Sequence, residues 1–264
     1  MTARPEPPPT LARFGELVGR DPVPLGEAAI ALAAHLGFAE DPGHEVLRLQ
    51  ALAAGVDGAD LAAVTRHLFA TVGLRGDRAS YYDPANSMLP LVLDRGRGIP
   101  ISLAVIAVDV ARRLGIEASV VGMPGHVLVG AGDPPHAWVD AFGGGRWLDA
   151  LGARALYATL HGRHAPFDER FLATTPDVQV LARMLNNLVG IYGGSGDARH
   201  LVRVHQLRAV LPGLGEACRP ELAHALEAVG RFQEAADLWD EVGGPTPEGR
   251  AAEAAVRRLR ARLN

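Results

Sequence analysis

From Leu11 to about Gly73 the apolar positions recur at helical spacing. Leu25, Ala28, Ala29, Leu32 and Leu36 make one stripe, Val46, Leu49, Leu52 and Ala53 a second, and Leu61, Val64, Leu68 and Phe69 a third. Asp41-Pro-Gly43 and Asp57-Gly58 supply turns between them, so the stretch predicts three or four layered helices. Residues 1–10 are Pro-rich without a periodic apolar face, which predicts a disordered tail. At Arg75 the pattern breaks into turn formers as far as Asn86. Residues 88–93 read as a short helix stopped by Arg95-Gly-Arg-Gly98. Residues 103–111 are then apolar almost all round. With Pro100 in the first turn and Gly115 past the last, they predict a helix buried against a sheet.

Short β-branched and aromatic runs follow at 118–122, 126–130, 137–140 and 146–148, separated by Gly and Pro turns. A buried helix followed by an antiparallel meander is an α+β arrangement. Helical patterning resumes near Asp177 and continues to the end. Within it, Gly196-Asp-Ala-Arg-His-Leu201-Val-Arg-Val204 aligns with Gly230-Arg-Phe-Gln-Glu-Ala235-Ala-Asp-Leu238. The offset of about 34 residues is the period of tetratricopeptide helix hairpins. Generic amphipathic helices would also give a few such matches; the period favours degenerate tetratricopeptide-like hairpins. The expected organisation is a tail at 1–10, a helical segment at 11–74, an α+β core at 75–176 and paired helices at 177–264.

Composition removes whole classes of chemistry. All 26 residues of the Lys+Arg count are Arg, which excludes Schiff-base chemistry and a Lys-bearing phosphate loop. One Cys, Cys218, excludes an internal disulfide and any multi-Cys metal site. A net charge of -4 argues against nucleic acid as a partner. No secretory signal and no apolar run long enough for a bilayer is visible, so the expectation is a cytoplasmic protein without a membrane partner.

Ser102 near the start of the buried helix, His126 on a following strand and Asp140 on the next have the order of an acyl-transfer triad. A helix N-terminus stabilises an anionic nucleophile or oxyanion, and adjacent strands bring His to the nucleophile and Asp behind the His. Tyr82, Asp83 and Asn86 are candidates for lining the cleft, Asn86 as an oxyanion donor or a loop holder. Asp83 and Asn86 equally suit turn and cap chemistry. His161, His164 and Asp168 suggest a metal only weakly against a solvated loop. The basic helix end at Arg257, Arg258, Arg260 and Arg262 is explained by dipole pairing and solubility.

Tyr81-Tyr-Asp-Pro-Ala-Asn-Ser87, Gly98-Ile-Pro-Ile-Ser-Leu103, Ala111-Arg-Arg-Leu-Gly115, Gly122-Met-Pro-Gly-His-Val-Leu-Val129 and Val139-Asp-Ala-Phe-Gly-Gly-Gly145 stand in one order along the chain. Together they resemble the SirB-type transglutaminase-like family of bacteria, from roughly Phe14 through the C-terminal helices. The resemblance implies a papain/transglutaminase-like core between an N-terminal helical layer and tetratricopeptide-like hairpins. It also implies that His126 and Asp140 are the His and Asp of the transglutaminase triad. The departure is Ser102, where transglutaminase-like enzymes carry Cys. A competing register resembles the general transglutaminase pattern and pairs His136 with Asp149; otherwise His136 lines the site beside Tyr82 and Asn86.

Two functions follow as expectations. One is amide hydrolysis or acyl transfer by Ser102, His126 and Asp140, without a cofactor or metal. The other is an inactive fold that binds a peptide or protein partner through the cleft and the C-terminal helices. A metal-dependent hydrolase built on His126, His136 and Asp140 ranks third.

Overall fold

The computed structural model describes residues 8–243 and 247–263. Residues 1–7 of the expected tail lie outside the described residues, and the first helix, α1, is Pro9–Val18. The chain divides into two compact units: residues 20–184, and the described residues up to Gly19 together with those from Leu185 onward.

The first unit is built around one helix. α2 (Leu25–Leu36), α3 (Pro42–Ala54), α4 (Leu61–Thr65) and α5 (Leu89–Arg95) all pack on α6 (Pro100–Arg113). Asp41 caps α3 by accepting from His44 N at 3.1 Å, and Asp60 caps α4 by accepting from Ala63 N at 2.7 Å. Past α4 the chain widens into a π-helical turn, Arg66–Thr71, that the apolar spacing did not distinguish from an α-helix. Pro100 occupies the first turn of α6, and every residue from Pro100 to Ala111 is buried. The one carboxylate in that run, Asp109, accepts from Gly26 N at 3.2 Å and from Arg113 Nε at 2.6 Å. A Cβ on Gly26 would come within 2.5 Å of the Asp109 carboxylate, so α2 approaches α6 only through glycine there.

Arg75–Gly76 (β1) and Arg97–Gly98 (β2) pair in parallel, an element that the turn-rich sequence concealed. The main sheet is antiparallel, in the order β3 (Ala118–Val121), β4 (Leu128–Ala131), β5 (Ala137–Asp140) and β6 (Arg146–Leu148). Val129 faces Val139, and Trp138 faces Leu148. Val121, Met123, Leu128, Trp138 and Leu148 bury one side against Ala153 and Tyr157 of α7 (Ala150–His161) and against Leu172. Trp138 donates its ring N–H to Leu172 O at 3.1 Å, which satisfies the one polar atom of that ring. The first unit is thus a mixed helical and sheet structure. The second strand starts later than its β-branched run predicts, because Met123-Pro-Gly-His126 is a turn closed by His126 N donating to Met123 O at 3.0 Å.

In the second unit α1 packs on α9 (Ala198–Ala209), which packs on α10 (Gly215–Ala228). Next come α11 (Phe232–Val242) and α12 (Pro247–Leu263), each on the one before. Leu222, Leu226, Trp239, Val256 and Leu259 lie in their common core. Two interhelical turns close alike: between α8 (Asp177–Ser195) and α9, Asp197 N donates to Tyr192 O at 3.0 Å, and between α10 and α11, Arg231 N donates to Leu226 O at 2.9 Å. Cys218, the single thiol of the chain, is buried on α10, and burial pushes its pKa up. Among the described residues no helix is long and apolar enough to cross a membrane.

Candidate functional site

Ser102 is the third residue of α6, and it is fully buried. Its Oγ accepts from Ile99 N at 3.1 Å and donates towards Asn86 O at 2.6 Å, with Ile99 O a second acceptor at 3.0 Å. A hydroxyl has one proton, and here backbone carbonyls take it. A Cβ on Gly98 would lie 2.7 Å from that Oγ, which explains the Gly-x-Pro-x-Ser spacing: the glycine leaves room for the hydroxyl.

His126 stands in the turn before β4, and its Nε2 donates to Asp140 Oδ1 at 2.9 Å. A carboxylate offers no proton, so Nε2 carries it, and in the neutral ring Nδ1 is then the acceptor. Nδ1 makes no hydrogen bond among the described residues, and none joins His126 to Ser102. Two donors pin the turn: Arg183 to Met123 O at 3.1 Å and to His126 O at 2.9 Å, and His161 Nε2 to Pro124 O at 2.9 Å. Asp140 ends β5 and also accepts from Gly143 N at 2.9 Å, with Arg146 at 3.5 Å.

Burial works against the ionised Asp140 carboxylate. The His126 hydrogen bond and charge, the Gly143 N–H and Arg146 outweigh it and hold its pKa below the usual value. A depressed pKa stabilises the fold above the unfolded value of about 3.9, and the contribution is lost as pH falls through the folded value. Asp140→Asn is therefore expected to be less stable at neutral pH, yet to lose less on acidification from about pH 5 to about pH 2. Urea unfolding at stepped pH measures this, and parallel curves for the two proteins would refute it.

The other sequence candidates are placed as follows. Tyr82 is 78% exposed and meets Tyr81 edge to face at 5.3 Å. Asn86 is fully buried, and its Nδ2 donates to Ser80 O at 2.7 Å, holding the loop. Asn86 Oδ1 and Ser87 Oγ are buried without a hydrogen-bond partner among the described residues. His136 is exposed just before β5, while Asp149 caps α7 by accepting from Gly152 N at 2.7 Å. No hydrogen bond or ion pair joins those two. Asp168 pairs with Arg170, and no group of three His, Cys, Asp or Glu gathers as a metal site among the described residues.

Sequence reasoning assigned no role to Phe142, Arg78 or Arg183. Phe142 lies edge-on to both Tyr81 at 5.9 Å and His126 at 6.1 Å, and Arg78 stacks over it at 5.1 Å. Phe142 belongs to the Val139–Gly145 motif, two residues past Asp140. Arg183 had no signal, lying 57 residues from the turn it holds.

The sequence model of the transglutaminase-like superfamily matches residues 40–186. A UPF0162 protein of Xylella fastidiosa is 41% identical over 165 residues, 60% of this chain and 58% of that protein's length. A UPF0162 protein of Pseudomonas aeruginosa is 28% identical over 190 residues, 69% of this chain and 70% of its own. The mouse F-box only protein 21 is 30% identical over 140 residues, half of this chain but 21% of that longer one. No solved structure matches.

Proposed function

Because the chain belongs to the transglutaminase-like superfamily, we propose that it uses that fold to bind a peptide or protein partner and not to transfer acyl groups. The observation that carries this reading is the Ser102 hydroxyl. A serine nucleophile needs a base in contact throughout attack. Here the proton is directed to Asn86 O, which is no base, while the oxygen holds Ile99 N. Turning the hydroxyl away would break both bonds at a fully buried position and leave Ile99 N and Asn86 O only their longer mutual hydrogen bond of 3.3 Å. The His126–Asp140 pair then serves as a rigid floor for a binding surface. The match to a short part of F-box only protein 21 suits a module carried within larger proteins.

Within the superfamily we place the chain in the SirB-type group on its five ordered motifs. We read the helices of residues 177–264 as degenerate tetratricopeptide-like hairpins, supported by the two alike turn closures. Domain limits of 11–74, 75–176 and 177–264 remain part of this proposal. One observation favours the enzyme instead: in the neutral His126 ring Nδ1 has an acceptor lone pair, and it makes no hydrogen bond among the described residues.

A fluorophosphonate probe separates the two. The full chain is expected to stay unlabelled above the background of Ser102→Ala. Labelling that Ser102→Ala abolishes would overturn the binding reading and install Ser102 as a nucleophile.

A further inference from the structure

Beside His126 the first unit carries an aromatic surface whose cations Arg78 and Arg183 have no acidic partner among the described residues. Tyr82 and Tyr81 are 78% and 38% exposed, and with Phe142 they form a connected set of edge-to-face rings ending at His126. Clustered aromatic rings left in water mark contact surfaces. The Arg78 guanidinium lies over Phe142 and makes no ion pair among the described residues. Arg183 is half-buried; burial pushes its pKa down, and nearby Tyr81 opposes that. Among the described residues only the carbonyls of Met123 and His126 accept from it, and carbonyls supply hydrogen bonds without a countercharge. The acids nearby are engaged. Asp140 is held by His126, Gly143 and Arg146, while Asp77 and Asp83 lie 3.6 Å and 3.0 Å from Arg95. This surface is therefore short of negative charge, although the chain as a whole carries -4.

We propose, resting on the binding reading above, that this surface takes an acidic peptide segment. Its carboxylates lie against Arg78 and Arg183, and a flanking apolar side chain lies on Tyr81, Tyr82 and Phe142. The guanidinium fork matches a carboxylate in geometry as well as charge, and the rigid rings supply contact area at low entropic cost. Two cations among aromatic rings fit short acidic stretches; a nucleic-acid backbone is met by a longer run of them.

The test is selection of a bead-displayed library of random peptides on the purified full chain, with Arg78→Glu/Tyr82→Ala as the control surface. Both control positions are exposed, and circular dichroism confirms that the variant folds. Selected sequences are expected to be rich in Asp and Glu beside apolar residues. Fluorescence anisotropy of one such peptide is expected to show binding weakened by roughly tenfold in the control variant, and again on raising the salt severalfold. Enrichment of neutral or basic peptides would overturn the acidic partner and leave the binding reading intact. No enrichment over the control variant would overturn the site itself. Displacement of selected peptides by a short oligothymidylate in preference to acidic peptides would move the surface to nucleic acid and overturn the proposal. The binding reading fails separately, through labelling at Ser102.

Discussion

Gly98→Ala is expected to destabilise the first unit by about 3 kcal/mol, because the added methyl and the Ser102 hydroxyl claim the same space. The new Cβ would lie 2.7 Å from Ser102 Oγ, 3.1 Å from Val92 Cγ1 and 3.3 Å from Leu103 Cγ. None of these neighbours retreats cheaply: all three residues are buried, and the hydroxyl is tied to Ile99 N and Asn86 O. A loss of that size lowers the thermal midpoint of a unit this large by roughly 6–12 °C. Ser102→Ala alone is expected to cost about 0.5–1.5 kcal/mol, since Asn86 O loses its shortest hydrogen bond but keeps the one from Ile99 N at 3.3 Å. The double variant should then fall well short of the sum, because removing Oγ also removes one clash. Calorimetry of the four proteins tests this; additive losses would show that Gly98 and Ser102 do not share the space.

Asp109→Ala is expected to cost about 1.5–3 kcal/mol, the usual worth of a hydrogen bond to a charged group, because it removes a charged acceptor that is buried while its Arg113 partner is partly exposed. Its carboxylate joins the start of α2 to the end of α6 through Gly26 N and Arg113 Nε. With it gone, Gly26 N–H loses its side-chain acceptor, and Arg113 keeps only Glu27 at 4.0 Å. Asp109→Asn retains an acceptor for Gly26 without the charge and should lie between. Urea unfolding followed by tryptophan fluorescence measures both, and a loss below about 1 kcal/mol for Asp109→Ala would contradict a structural role for the pair.

Periodicity located α6 and all four strands of the main sheet, since each has a one-sided or continuous apolar pattern and Gly or Pro at its ends. It placed His126 on a strand, whereas Pro124 and Gly125 turn the chain and the strand starts two residues later at Leu128. The parallel pairing of Arg75–Gly76 with Arg97–Gly98 left no trace, because two-residue strands have no period to detect. Ser102 was legible as a residue near a helix start. Its actual partners were not, because Asn86 O belongs to the backbone of a loop 16 residues away and any residue type presents a carbonyl. The His126–Asp140 contact came from the order of motifs, not from any local pattern. Arg183 and Asp109 act across 57 and 83 residues, and such tertiary contacts have no sequence signature in a single chain.

The buried thiol on α10 has a practical consequence. Residues 20–184 contain no cysteine, so a thiol reagent meets a single target, shielded while the helices around α10 stay closed. Its rate of reaction with the unmodified protein is therefore a clock for opening in the C-terminal helices. Run with and without a selected acidic peptide, the same clock reads whether occupation of the surface around His126 changes that opening.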